Sequence, residues 1–346
     1  MKSSTLLFER PEGLQAVAPP ETRALERDGV RLLVTTPDGS AHAHFIDLPD
    51  ILVPGDLLIV NESATIPASL PAEASMGSFT LNLSTDYGGG LWLAEPRWSP
   101  SEPGPLPLTE GEDIRLPGLT GRLVSRYPGL ERLWFVHLQG DVQATLAKHG
   151  SPIRYGYLDS DYPLEAYQTV FARVPGSAEM PSAARPFTSQ VVRRLRDRGV
   201  ELARIVLHTG VSSLEVESEE LEEHAMYPEP VYVSSTTADA VNDAKDQGRR
   251  VIAVGTTAVR AIESAWDGER VRPVSGFTRL YIHPDSGVQV VDGLLTGFHD
   301  PMASHLAMLY ALAGETMVRS AYTDAVTSGY LWHEFGDSNL ILPGRA

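Results

Sequence analysis

The feature that most constrains the fold of this chain is its pattern of apolar segments, which differs between the middle of the chain and its two flanks. From Thr188 onward, apolar segments of strand length alternate with segments of helix length, a pattern typical of a parallel sheet covered by helices. Before the middle, a predicted hairpin over 31–46 is followed by the buried-type run Leu57-Leu58-Ile59-Val60. The flanks therefore predict one α/β domain built from both chain ends, over 1–70 and 151–346.

The middle of the chain, 71–150, has a different character. Short segments such as Leu133-Trp134-Phe135-Val136-His137-Leu138 are typical of strands. Prolines interrupt this region at Pro96, Pro100, Pro103, Pro105, Pro107 and Pro117. Because proline removes a backbone donor and breaks helices, we expect no helix here. We predict an inserted β domain, either a small barrel or a sandwich.

The clearest local unit is a strand, a Gly-Thr-Thr turn and a helix. The run Val251-Ile252-Ala253-Val254 predicts a buried strand, and Gly255-Thr256-Thr257 leads from it into a helix that passes through Arg260. The free N–H groups and the positive dipole end of such a helix can hold a carboxylate or a phosphate. The alternative is an N-cap without a ligand.

Two histidines follow predicted strands. His208 closes a strand over 202–208, and His299 follows a strand over 290–296. Imidazole titrates near neutral pH, so either ring can act as a general acid or base, although each can equally fill a structural role. Asp300 and Pro301 have the chemistry of an N-cap and a first helical turn, which predicts a helix starting there.

Composition excludes several classes of protein. The chain contains no cysteine, which rules out disulfides, thiolate metal sites and cysteine nucleophiles. It also lacks the GxGxxG, GxxxxGK(S/T), HExxH and GxSxG motifs, which argues against Rossmann dehydrogenases, P-loop enzymes, zinc proteases and α/β-hydrolases. No run approaches the ~20 apolar residues of a membrane span, and the start lacks a secretion signal. We expect a cytoplasmic protein.

The formal charge is −17, from 28 Lys and Arg against 45 Asp and Glu. Such acidity excludes a protein that coats nucleic acid, because phosphate neutralisation needs clustered cations. The local basic concentration lies around a helix predicted over 188–198, with Thr188 as its N-cap and Gly199 after its end. Its arginines form either a phosphate-contacting patch or a solubilising face: Arg185, Arg193, Arg194, Arg196 and Arg198.

A series of longer motifs, spread over most of the chain, occurs in a characteristic order. Tyr167 to Ala172 with Pro175-Gly176-Ser177 is similar to YQTVFA…PGS, and Val251 to Arg260 is similar to VIAVGTTSVR. Further similarities are Arg27 to Val34 with RDxSRLLV, Leu207 to Gly210 with LHVG, Glu222 to Met226 with EEHxM, and Thr296 to His299 with TNFH. Together these motifs resemble the S-adenosylmethionine:tRNA ribosyltransferase-isomerase family of queuosine biosynthesis.

This resemblance implies an α/β domain with an inserted β-barrel. It also implies an activity: the ribosyl part of S-adenosylmethionine is transferred to the aminomethyl group of a 7-deazaguanine base in tRNA and rearranged to the epoxycyclopentane of epoxyqueuosine, with release of adenine and methionine. S-adenosylmethionine is then a substrate, with no prosthetic group and no metal required. The chemistry needs one proton removed near the sulfonium-activated carbon and one delivered to the departing adenine.

The resemblance and the residue chemistry together predict the site. His208 and His299 are expected to handle protons. The helix start at Gly255, Thr256 and Thr257, with Arg260, is expected to hold a charged end of S-adenosylmethionine. Glu223 and His224 are expected to be pocket residues, although an acidic stretch of this kind can equally be a solvated face.

The sequence departs from the family pattern inside several motifs. Ala64 and Ser69 stand where the family's NDTRVIPARL has arginines, and Pro186 replaces a histidine of PTAGLHFT. Tyr227 replaces the histidine after EEHxM, and Ser212-Ser213-Leu214 replaces GTF. Because arginines clamp phosphates and carboxylates, two alternatives stand beside the tRNA enzyme. One is a same-fold enzyme that uses S-adenosylmethionine to modify a small nucleobase or nucleoside, and the other is an inactive nucleoside-binding relative.

Overall fold

The structure of the protein is a computed structural model that describes residues 1–211, 216, 218–224 and 226–344. The Ser212-Ser213-Leu214 departure lies outside the described residues. The strands are β1 (Arg31–Thr36), β2 (Gly39–His44), β3 (Leu57–Asn61), β4 (Ser63–Thr65), β5 (Ser69–Ala74), β6 (Gly77–Asp86), β7 (Leu91–Arg97), β8 (Asp113–Leu116), β9 (Leu119–Tyr127), β10 (Leu130–Gln139), β11 (Val174–Ser177), β12 (Glu201–Leu207), β13 (Glu229–Val233), β14 (Val251–Val254), β15 (Val274–Thr278), β16 (Gly293–Gly297) and β17 (Ser338–Ile341). The α-helices are α1 (Leu48–Ile51), α2 (Val142–His149), α3 (Ser189–Asp197), α4 (Ser235–Asp246), α5 (Thr256–Ser264), α6 (Ser304–Ala313) and α7 (Glu315–Thr327).

A nine-stranded sheet forms the main part of the fold, in the order β15-β13-β12-β3-β14-β16-β17-β1-β2. Its neighbours β12, β3, β14 and β16 run parallel, so their carboxyl ends meet at one edge. Strands β1, β2 and β3, from before the middle of the chain, share this sheet with strands from after the middle, and β3 lies between two of those later strands. That arrangement confirms the predicted α/β unit built from both chain ends.

Helices cover both faces of the sheet, and successive residues of its central strands point to opposite faces. Leu57 and Ile59 of β3 pack into a core that also contains residues of α4, α5, α6 and α7. Leu58 and Val60 pack on the other face, with residues of α1 and α3. Because both faces are covered, β3 is buried at every position, which explains its uninterrupted apolar run.

The middle of the chain forms a closed antiparallel barrel in the order β10-β7-β6-β5-β8-β9. Closure pairs each of these strands on both sides and removes the exposed edges that a sandwich keeps. The barrel has its own core, which includes Leu81, Leu93, Leu123 and Trp134. The barrel is therefore confirmed over the sandwich, while the domain boundaries at 71 and 150 stay a prediction.

The expectation of no helix in the middle region was wrong at its end, where α2 follows the last barrel strand. The interrupting prolines end at Pro117, well before this helix. Asp141 caps α2, and its Oδ1 accepts from the backbone N–H of Ala144 at 2.9 Å. A side-chain cap of this kind satisfies a helix-start donor and stabilises a short helix.

The helix after His299 also begins later than predicted, at Ser304 rather than Asp300. Met302 has a φ of +62°, in the left-handed region, so the chain turns before the helix starts. The Asp300 carboxylate does not cap the helix. It pairs instead with Arg10, whose Nε lies 2.8 Å from Asp300 Oδ1.

Candidate active site

A cavity of about 270 Å³ lies at the edge where the parallel strands end. Ligands bind in α/β sheets outside the carboxyl ends of the strands, because the loops that follow neighbouring strands meet there. The segments after β12, β14 and β16 contribute Thr209, Gly255 to Thr257, and Phe298 to Pro301. Loops from elsewhere in the chain complete the wall with Pro152, Ile153, Tyr155, Tyr157, Tyr167, Glu179, Met180, Pro181, Ser182, His333 and Glu334.

The predicted strand, Gly-Thr-Thr and helix unit forms one side of the cavity. Gly255 precedes α5 with a φ of +89°, a conformation that favours glycine. A Cβ at Gly255 would lie 3.3 Å from the Cβ of Ala183. Thr257 Oγ1 accepts from Asn61 Nδ2 at 3.2 Å, which ties the helix start to the end of β3. The structure thus brings Gly255, Thr256 and Thr257 to the cavity, and their contact with an anion stays a prediction.

His299 also lines the cavity, and several neighbours hold it. Its Nε2 lies 2.9 Å from Thr296 Oγ1, and its backbone carbonyl accepts from Trp332 Nε1 at 3.0 Å. Its ring stacks on His305, with 4.6 Å between ring centroids. Burial, reinforced by His305 and His333, lowers the pKa of His299 well below its ordinary value. The ring is therefore neutral near pH 7 and can accept a proton.

His208 lies behind the cavity wall. Its Nδ1 is 2.7 Å from Ser63 Oγ, and its ring lies so close to Gly176 that a Cβ there would come within 2.7 Å of it. Burial lowers the pKa of His208. The next residue, Thr209, lines the cavity. His208 thus directly precedes a cavity-lining residue in the sequence, and its catalytic role stays a prediction.

Three other predicted site residues are not among the described residues that line the cavity. Arg260 is buried and forms an ion pair with Glu229, and its Nε donates to the Leu280 carbonyl at 2.9 Å. Arg260 therefore stabilises the position of α5, because a buried carboxylate already neutralises its charge. Glu223 is exposed, and His224 packs on Tyr281 with 5.1 Å between ring centroids. Burial lowers the pKa of His224 to about 4.

The cavity contains an aromatic wall that sequence reasoning missed. Tyr155 and Tyr157 are parallel, with 5.8 Å between ring centroids. His333 stacks on Tyr157 with 4.1 Å between ring centroids. The tyrosines lie in the segment that follows α2, and His333 follows Trp332 near the chain end. No local period marks these residues, because the contact joins segments far apart in sequence.

Two carboxyl groups lie beside this aromatic wall. The Tyr155 hydroxyl donates to Glu179, and the Tyr157 hydroxyl donates to Glu334. Burial is the main cause that raises the pKa of Glu334, and it also raises the pKa of both tyrosines well above their ordinary range. The site therefore combines imidazoles whose pKa values are lowered with a carboxyl group whose pKa is raised.

One departure, Gly297 in place of the asparagine of TNFH, lines the cavity, whereas four other departures lie in the framework. Ser69 is buried and exchanges two backbone hydrogen bonds with Ser151, of 2.9 and 3.0 Å. Pro186 is buried beside α3, and Ala64 lies on β4. Tyr227 is buried in the barrel core, where its hydroxyl donates to the Val211 carbonyl. These four departures therefore do not alter the described cavity wall.

Most of the predicted basic patch is neutralised. Arg194 and Arg198 on or beside α3 both pair with Asp50. Arg185 is buried, and its Nη2 lies 3.0 Å from Glu21 Oε2. The patch was overestimated because acidic residues distant in sequence fold against these arginines. Two exposed members of the predicted set remain on α3, Arg193 and Arg196.

The helices of the described chain include none that is long and apolar enough to cross a membrane. Away from the cavity, Glu222, His283 and Asp285 each place one potential ligand atom within 4.8 Å of the others. Glu222 also accepts a hydrogen bond from the Met1 amino group at 2.5 Å, and this bond is the main cause that lowers its pKa to about 2. That carboxylate already has a cationic partner.

The fold and the cavity define an α/β enzyme with an inserted β-barrel and a site at the strand ends. The chain matches the family described as queuosine biosynthesis protein over residues 3–341, and it belongs to that family.

Curated relatives match along nearly their whole length. An S-adenosylmethionine:tRNA ribosyltransferase-isomerase of Thermus thermophilus is 40% identical, with 96% of this chain and 100% of that protein covered. One from an Anaeromyxobacter species is 38% identical over 99% of both chains. The crystal structure of an S-adenosylmethionine tRNA ribosyltransferase from Thermotoga maritima superposes with a TM-score of 0.55 at 27% identity, covering 98% of this chain and 100% of that one.

Proposed function

We propose that this protein is an S-adenosylmethionine:tRNA ribosyltransferase-isomerase. It transfers the ribosyl part of S-adenosylmethionine to the 7-aminomethyl-7-deazaguanine base of tRNA and rearranges it to epoxyqueuosine, with release of adenine and methionine. The observation that carries this proposal is the 40% identity to a relative of that name over 96% of this chain. S-adenosylmethionine serves as a substrate, no prosthetic group or metal takes part, and the reaction takes place in the cytoplasm.

The cavity supports a division of roles among its residues. The start of α5 at Gly255, Thr256 and Thr257 binds a charged end of S-adenosylmethionine, since backbone N–H groups and the helix dipole favour an anion there. His299 removes the proton near the sulfonium-activated carbon, because its neutral ring faces the cavity. His208 is a second proton-handling group, one residue from the cavity-lining Thr209.

Other predicted residues have no contact role in this proposal. Arg260 stabilises α5 through Glu229, and Glu223 and His224 lie outside the described cavity wall. The tRNA acceptor is inferred from the names of the relatives. Arg193 and Arg196 are the exposed cations of α3 that can contact its phosphates.

Adenine release tests the proposal. Purified protein is incubated with S-adenosylmethionine and tRNA carrying the 7-aminomethyl-7-deazaguanine base, and adenine is measured by chromatography. The control is the same tRNA with an unmodified guanine, which should release none. Adenine release with the free 7-aminomethyl-7-deazaguanine base but not with tRNA would favour an enzyme that modifies a small nucleobase. No release with either, together with measurable nucleoside binding, would favour the inactive relative.

A further inference from the structure

The proposed reaction needs a proton donor as well as a proton acceptor, and the histidines around the cavity are poor donors. Burial lowers the pKa of His299 well below its ordinary value, that of His305 to about 4, and that of His333. Neutral imidazoles accept protons but hold no acidic proton to give. The donor must therefore be another group that lines the cavity.

The aromatic wall provides a surface on which a purine can pack. Tyr155 and His333 both lie nearly parallel to Tyr157, so the three rings present a common aromatic surface to the cavity. The Arg97 guanidinium lies 5.9 Å from the centroid of Tyr155, at one end of this surface. The other end, His333, lies near Asp300, with 3.6 Å between His333 Nε2 and Asp300 Oδ2.

The backbone of His333 indicates that this arrangement is held in place by its surroundings. Its φ is +74°, in the left-handed region that residues with a Cβ seldom occupy. Such a conformation persists where the surrounding structure holds it, and it is frequent at functional sites. Here it accompanies an imidazole ring stacked on Tyr157, with Glu334 as the next residue on the same side of the cavity.

We propose that Tyr155, Tyr157 and His333 form the subsite for the purine ring of the donor, and that Glu334 delivers the proton to the departing adenine. This inference rests on the proposed function and deepens it. Base stacking on aromatic rings is favourable for any purine. The carboxyl group supplies the polar contact that selects a ring nitrogen.

The step balances in atoms and charge. The bond between the ribosyl C1′ and adenine N9 breaks, and its electron pair moves into the purine. The Glu334 carboxyl proton moves to a purine nitrogen, so adenine leaves neutral and a carboxylate remains. The electron pair left on C5′ by proton removal forms a double bond to C4′, the C4′–O4′ bond breaks, and O4′ forms a carbonyl with C1′ as adenine departs. The proton that His299 took up passes to solvent, and solvent returns a proton to Glu334, so the enzyme regains its starting charge.

The surroundings of Glu334 are compatible with this role. Tyr157 donates to Oε2 of Glu334, a backbone N–H also hydrogen-bonds the carboxyl group, and Glu334 lines the cavity. The other groups that act on it are Tyr155, Tyr167 and the cationic Arg185. Arg185 favours the carboxylate, but burial outweighs it and the pKa of Glu334 is raised. Protonated Glu334 is therefore more abundant near pH 7 than an ordinary glutamic acid.

The test of the donor compares Glu334→Gln with the wild type in the adenine-release assay. Glutamine has the same shape but no acidic proton, so we expect kcat to fall about 100-fold or more. The KM for S-adenosylmethionine should change less than threefold. In the wild type, kcat/KM should decrease as alkaline pH deprotonates Glu334, and this decrease should be absent in the variant. Unchanged kcat in Glu334→Gln would overturn the inference.

Two further measurements separate chemistry from structure. An S-adenosylmethionine analogue that carries 2-fluoroadenine, a base that leaves with less need for a proton, should recover most of the activity of Glu334→Gln. Glu334→Asp, which keeps an acid on a shorter chain, should retain more activity than Glu334→Gln. Equal losses for both variants and both donors would overturn the acid role. Glu165→Gln, on an exposed turn, is the matched control and should behave like the wild type.

The purine subsite is tested with free adenine as an inhibitor. Tyr157→Leu removes the central ring and should raise the inhibition constant of adenine about tenfold. Tyr157→Phe keeps the ring and should leave that constant within about twofold of the wild type. An equal constant in all three proteins would refute the subsite. If the wild type itself releases no adenine with the modified tRNA, the proposed function fails, whereas active wild type with unaffected variants refutes this inference alone.

Discussion

The buried ion pair between Arg260 and Glu229 gives the sharpest test of how the site is supported. The two side chains are 9% and 4% exposed. Arg260 Nε also donates to the Leu280 carbonyl at 2.9 Å, and Glu229 Oε1 accepts from the Gly210 N–H at 2.9 Å. The pair therefore links α5 to β13 and to the segments after β12 and β15.

Arg260→Met should destabilise the protein by about 3–5 kcal/mol, because it leaves the Glu229 carboxylate buried without its cation. Glu229→Gln should destabilise the protein by a similar amount, because it leaves the Arg260 guanidinium buried without its anion. The double variant should cost only about 1–2 kcal/mol, because no unpaired buried charge remains in it. Arg260→Lys keeps the charge but loses the bond to Leu280, so about 1–2 kcal/mol is expected.

Urea unfolding followed by tryptophan fluorescence measures the four variants against the wild type. The KM for S-adenosylmethionine is measured in parallel, well below the unfolding transition. It should stay within about twofold for Arg260→Lys, since Arg260 is not among the described residues that line the cavity. The reasoning would be refuted if Arg260→Met cost less than about 1 kcal/mol. A tenfold rise in KM without loss of stability would instead place Arg260 in contact with the donor.

Four further predictions concern the cavity, the stability of the fold in acid and the acceptor surface. Gly255→Ala should raise the KM for S-adenosylmethionine and destabilise by about 1–3 kcal/mol through its positive φ and the close Ala183; Gly314→Ala, with a φ of +78° and no atom within 4 Å, should show the strain alone and an unchanged KM. His299→Gln should lower kcat at least tenfold. Wild-type activity should persist below pH 6.5, because the lowered pKa of His299 keeps this base unprotonated there. A steep loss of activity at pH 6.5 would contradict this expectation. The same lowered histidine pKa values make the folded state lose stability as pH falls from about 6.5 towards 4, because the unfolded chain binds these protons more readily, and acid unfolding measures this. The double variant Arg193→Ala and Arg196→Ala should weaken tRNA binding and reduce its salt dependence by about one to two phosphate contacts. Arg194→Ala should have less effect, because Arg194 is already paired with Asp50. Equal effects of both changes would show that other residues contact the tRNA.

The departures from the family pattern receive a physical interpretation from the structure. Arginines absent at Ala64 and Ser69 seemed to remove anion clamps from the site. Neither position is among the described residues that line the cavity. Ser69 is 4% exposed at the start of the barrel, where it pairs with Ser151. The departures at Ala64 and Ser69 therefore do not by themselves argue for a change of acceptor.

Local chemistry determined much of the fold from the sequence alone. The apolar runs of β3 and β14 predicted buried parallel strands, because only strands covered on both faces tolerate an uninterrupted apolar run. Thr188 predicted the start of α3, and its Oγ1 accepts from the Val191 N–H at 3.2 Å. Gly255 predicted the sharp turn into α5. The family motifs added the barrel and the activity.

Only the tertiary structure decided which polar residues meet. Arg260 looked like a ligand-binding cation until Glu229, 31 residues earlier, neutralised it. Glu334 and Tyr157 are 177 residues apart, and no local pattern indicates that they form a hydrogen bond. A side chain's pKa and accessibility depend on neighbours supplied by distant segments. The sequence by itself therefore determined the buried strands, most helix starts and the family, while the proposed acid, base and purine surface depended on how the loops fold together.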